Sequence, residues 1–170
     1  ALGRKGDDAI TQALPVVPNL QGFMREAVEF GMLGAGLRRA WRVGPMALAG
    51  LGLRSIGRAP DLLKRDFPTM LRSFIELELA DFIRYKPPVI FLQAQITDLA
   101  LCMHNPRILE AFFEAVANRT DAEAGLMTQN FGHLMASLKT WGIEAQAVIT
   151  PWSATGDGMR PNPETCLTAM

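Results

Sequence analysis

Apolar and polar positions divide this chain into two differently patterned halves. From residue 88 onward, short apolar runs alternate with helical repeats; upstream, apolar residues recur mainly at three- and four-residue spacing. The sharpest strand signal is residues 89–98, V-I-F-L-Q-A-Q-I-T-D. It is entered through Pro87 and Pro88, which stop a preceding helix because proline lacks an amide donor and restricts the residue before it. As an extended segment it puts Ile90, Leu92, Ala94 and Ile96 on a wholly apolar face. Val89, Phe91, Gln93, Gln95 and Thr97 form the other face, which turns polar towards its carboxyl end, as expected of a buried parallel strand that finishes at a binding crevice.

Two further β/α units follow. Asn105-Pro106 opens a helix with the apolar face Ile108, Leu109, Phe112, Phe113 and Val116. A second strand is expected at residues 125–129. Asn130 then reads as the N-cap of a helix burying Phe131, Leu134, Met135, Leu138 and Trp141, and Gly142-Ile143 has the glycine-then-hydrophobe form of a Schellman stop. A third strand is expected at residues 145–150. Strands joined by crossover helices predict a parallel sheet with right-handed connections, which leaves an open doubly wound sheet and a partial β/α barrel as alternatives.

The upstream half is helix-rich, with a helical segment over residues 19–86. Residues 9–17 read as a strand that Pro15 and Pro18 confine to an edge. Leu20, Phe23, Met24, Ala27 and Val28 mark a first helix, and residues 35–43 and 46–56 two short ones broken at Gly44-Pro45. Asp66-Phe67-Pro68 opens a long helix with the stripe Phe67, Met70, Leu71, Phe74, Ile75, Glu78 and Phe82. On it, Arg72 and Glu76 form an i,i+4 pair worth a few tenths of a kcal/mol. The expected fold class is therefore α/β: a helix-rich first half, then β-α-β-α-β units over residues 88–170 with parallel strands, as part of a TIM-like barrel or, alternatively, an open doubly wound sheet.

Composition narrows the classes. With 170 residues, 49% of them hydrophobic and 20% charged, the chain suits one globular domain over residues 1–170. A formal net charge of +0 gives no composition-level case for nucleic acid. Cys102 and Cys166 belong to no CxxC or Cys/His pattern, which argues against a disulfide framework or zinc site and for a reducing, cytoplasmic setting. No apolar run approaches the roughly 18 residues that span a bilayer. Asn162-Pro163 opens a helix that the chain leaves within two turns. The expectation is a truncated domain whose open sheet edge is bare or covered by a partner, a second copy included.

Candidate chemistry gathers at the expected strand ends: Gln95, Thr97 and Asp98; Thr128, Gln129 and Asn130; Thr150, Trp152 and Ser153. Asp98 is the candidate acid or base, with a turn role as the alternative. Asn130 is weighed between ligand contact and plain capping. In the loop from Ser153 to Arg160, Gly156 and Gly158 allow close backbone approach to phosphate and Arg160 offers a bidentate charge, although the loop is neither a Walker motif nor GxGxxG. The leading expectation is a small anionic metabolite bound at these residues. His104 and His133 are the near-neutral proton carriers. His133 falls opposite its helix's apolar stripe and reads as solvated, whereas His104 precedes the Asn105 cap. With Asp98 and Cys102, His104 makes a poor metal set, and no metal or cofactor is assigned.

Two readings from other classes stand beside this one. Arg38, Arg39, Arg42, Arg54, Arg58, Lys64 and Arg65 make residues 33–65 a candidate peripheral membrane-surface or partner-binding module, or else helices that cover the sheet and snorkel their arginines. A non-catalytic structural domain is the other. The run M-T-Q-N-F-G-H-L-M-A-S-L-K-T-W-G-I followed by A-V-I-T-P-W resembles uncharacterised bacterial members of the aldolase-type TIM-barrel superfamily. The resemblance implies a ligand site at the strand carboxyl ends. Lys5, Lys64, Lys86 and Lys139 all fall outside the three expected strands, so the strand-end lysine of the Schiff-base class has no counterpart in them.

Overall fold

The structure, a computed structural model, describes residues 14–19, 29 and 67–170. The helices expected between residues 20 and 56 and the basic segment 33–65 lie outside the described residues. The elements are β1 (Val16–Val17), α1 (Phe67–Phe82), a 3₁₀ turn (Ile83–Tyr85), β2 (Val89–Leu92), α2 (Ala94–Cys102), α3 (Arg107–Arg119), β3 (Glu123–Met127), α4 (Phe131–Trp141), β4 (Ala147–Ile149) and α5 (Pro163–Thr168).

The strands form one parallel sheet in the order β1-β2-β3-β4. Its register explains the alternation of apolar residues. Val17, Leu92, Leu126 and Val148 make one row across the sheet and pack into the helix layer. Val16, Phe91, Gly125 and Ala147 make the row on the opposite face. There the Phe91 ring lies over Gly125, where an added Cβ would sit 2.6 Å from Phe91 Cδ1. The order contains no reversal among the described strands, so the crevice that a doubly wound sheet opens at its switch point does not arise between them.

The expected strand over residues 89–98 is corrected to four residues followed by a helix. Gln93 ends the extended stretch, and from Ala94 the chain turns helical, with Ile96 and Thr97 both donating their amides to the Gln93 carbonyl. The apolar positions fit both periods, but Ala94, Leu99, Ala100 and Leu101 are strong helix formers. Ala94, Ile96, Thr97, Ala100 and Leu101 are buried along the resulting stripe. The strand expected at 125–129 lies two residues earlier, and that at 145–150 is shortened to Ala147–Ile149.

Helix α3 follows its pattern closely, burying Ile108, Leu109, Phe112, Ala115 and Val116, and α4 ends in the expected Schellman stop. Gly142 is left-handed at φ 65°, and Ile143 donates its amide to the Leu138 carbonyl at 3.0 Å. On α1 the stripe is rotated: Phe67 and Met70 are exposed, and Leu71, Ile75 and Leu79 face the core. This rotation buries Glu76, expected as half of a surface pair. Its Oε1 takes Arg72 Nε at 3.1 Å, and its Oε2 lies 3.8 Å from Nε of Arg119, delivered by α3. Arg72 also reaches Glu114 of α3. A carboxylate between two guanidiniums thus sits in the α1–α3 contact beside the hydrophobic core.

Candidate functional site

The carboxyl ends of β2, β3 and β4 lie side by side because the strands are parallel and adjacent, and helices α2 and α4 start directly from two of them. Asp98, one turn into α2, ties these units together. Thr128 Oγ1 donates to Asp98 Oδ1 at 2.5 Å, and the Gln129 amide donates to Asp98 Oδ2 at 3.1 Å. Thr128 is buried, and its hydroxyl also accepts the Asn130 amide at 2.9 Å. Both oxygens of Asp98 thus hold the β3–α4 turn against α2. Hydrogen bonds to a charged acceptor are worth about 1.5–3 kcal/mol, so Asp98→Ala is expected to destabilise the fold by about 2 kcal/mol, measurable by urea denaturation.

Asn130 occupies the N-cap position of α4, but its side chain makes no capping hydrogen bond. Its Oδ1 is buried and meets no hydrogen-bond partner among the described residues. Gln93 repeats this at the end of β2: it is the N-cap of α2, makes no side-chain cap bond, and its buried Oε1 meets no partner among the described residues. In the sequence Gln93 reads only as a strand-face residue, because nothing local to it marks the start of the helix that it caps.

Other expected residues converge on the α4 start. Trp152, 47% exposed, meets Phe131 edge-on, with ring centroids 6.4 Å apart and planes at 89°. Arg160 lies beside the first turn, its carbonyl accepting the Gly132 amide at 3.2 Å and the Cys166 thiol at 3.2 Å. Thr150 follows β4 at the same edge, next to the bond from the Thr128 amide to the Ile149 carbonyl at 3.0 Å. Gln95 is exposed on the first turn of α2 rather than at a strand tip. Thr97 is fully buried on the inner side of α2, its hydroxyl directed at the Gln93 carbonyl.

The glycine loop uses its polar groups internally. Ser153 Oγ donates to the Asp157 carbonyl at 3.0 Å, and Thr155 Oγ1 donates to Asp157 Oδ2 at 2.8 Å. Gly156 is left-handed at φ 82° and packs against Pro163, leaving no room for a side chain. Gly158 is also left-handed, at φ 77°, beside Pro151. Met159 is buried, which anchors the loop. A groove of about 520 Å³ lined by Ile83, Lys86, Pro87, Arg119 and Thr120 lies at the amino ends of β2 and β3, away from this edge.

No family model, curated protein or solved structure matches this chain. What stands is a mixed α/β chain with a four-stranded parallel sheet, and the aldolase-type resemblance gains no support from relatives. Among the described residues, no helix is long and apolar enough to cross a membrane.

Proposed function

We propose that the carboxyl edge of β2, β3 and β4 binds a small anionic metabolite carrying hydroxyl groups, within a β/α-barrel-like frame. The observation that carries this reading is the paired N-caps Gln93 and Asn130. Two neighbouring helices start at one sheet edge, and neither residue placed to cap them does so. The Ile96 and Gly132 amides of the two first turns are taken by the Gln93 and Arg160 carbonyls, and the positive end of each helix dipole still favours an anion at this edge. The buried amide oxygens of Gln93 and Asn130 are acceptors, so they call for donors such as hydroxyl groups on the same ligand. Arg160 beside the α4 start would add charge, and Trp152 an apolar wall. Asp98 serves here as the residue that positions the two starts.

Titration of phosphorylated sugars and hydroxy acids, followed by tryptophan fluorescence with a Trp152→Phe control, tests the reading. Saturable quenching that disappears in Trp152→Phe is expected. Asn130→Asp would place a carboxylate at the helix start and is expected to weaken binding about tenfold or more, the effect of 1.4 kcal/mol of charge repulsion. Absence of any response to these anions, or equal affinity in Asn130→Asp, would refute the site.

A further inference from the structure

The two histidines stand close together at the same end of the sheet, although they are 29 residues apart in sequence. His104 follows the end of α2 and His133 lies in the first turn of α4, their ring centroids 6.2 Å apart and their planes at 29°. Both are exposed. We propose that His104 and His133 together bind a divalent transition-metal ion of the zinc, nickel or copper kind.

The first argument is geometric. Imidazole nitrogens bind such ions at about 2.1 Å, which puts each ring centre about 3.2 Å from the metal and two ring centres about 5–6.4 Å apart. The observed separation lies at the wide end of that range, and both rings must rotate to aim a nitrogen at one ion between them. The helices bearing the pair are already fixed to one another by the Asp98 contacts to Thr128 and Gln129, so little ordering is required on binding.

The second argument is local. Helix α2 ends as a Schellman motif, with the Asn105 amide on the Ala100 carbonyl at 3.0 Å and His104 left-handed at φ 47°. Glycine fits that position without a Cβ penalty, and histidine does not. The imidazole is therefore held against the local backbone preference, at the one spot where it faces a second imidazole. Among the described residues no third histidine, cysteine or carboxylate joins them, so the remaining coordination positions belong to water or to an incoming ligand. A two-imidazole set favours copper over nickel and zinc.

The test uses the untagged full chain, freed of metal by chelator, titrated with zinc, nickel or copper chloride in a calorimeter. One equivalent is expected to bind with micromolar affinity. His133→Ala and His104→Gly should each weaken binding about tenfold or more. His104→Gly relieves the left-handed position, so its melting temperature should equal or exceed that of the parent, which separates lost ligation from lost folding. Cys102→Ser, which removes the exposed thiol at the end of α2, should bind as the parent does. Failure to bind any of the three ions at about 1 mM, unchanged affinity in both histidine variants, or loss of binding in Cys102→Ser would each overturn the assignment.

Discussion

Replacing Glu76 by alanine is expected to cost about 3 kcal/mol of folding stability, far more than an exposed i,i+4 pair is worth. Glu76 is 3% exposed and faces two guanidiniums, Arg72 along its own helix and Arg119 across the interface. Taking a carboxylate out of water is expensive, and those two cations offset part of the cost. Removing it leaves both arginines, which are themselves largely covered, without their shared counter-charge at the edge of the core. Glu76→Gln keeps the shape and some hydrogen bonding, and should lose less. Urea denaturation checks both variants, with the midpoint falling and the slope unchanged. A loss under 1 kcal/mol for Glu76→Ala would mean that the carboxylate is solvated.

Gly125→Val is expected to destabilise the protein by a similar amount, about 3 kcal/mol, because added volume in a packed interior forces strain. The Phe91 ring occupies the space over Gly125, and Phe91 is itself 4% exposed, so it has little room to retreat. Phe91→Leu should relieve part of the strain, giving a coupling energy of at least about 1 kcal/mol in a double-mutant cycle. Strict additivity would show that the ring and the glycine do not share that space.

How much of this was legible follows from where each signal lives. Helix α3 could be read directly, since Ile108, Leu109, Phe112 and Val116 repeat at helical spacing and each is buried. The Schellman stop at Gly142 and the Asn162 cap, whose side chain takes the Thr165 amide at 2.8 Å, are local chemistry and were equally plain. Parallel pairing followed from strands alternating with helices.

The misreadings share one cause, which is that the deciding partner is remote. Residues 89–98 satisfy both a two-residue and a helical period, and only burial of Ala100 and Leu101 decides for helix after Gln93. Nothing near Glu76 announces Arg119. At the candidate site, Asn130 has the ideal residue type for a cap and occupies the cap position, yet its oxygen makes no capping bond. Residue type fixes what a side chain is able to do, and the neighbouring unit decides which of those things it does.

The unreversed strand order bears on how the molecule comes into being. Strands β3 and β4 each pair with the strand that precedes them in the chain, so for these two pairings the ends to be joined are not far separated along it and the entropy of closing each loop stays modest. Such a sheet can be laid down in the direction of synthesis, each newly emerged ribbon finding its template already in place rather than waiting for one still within the ribosome.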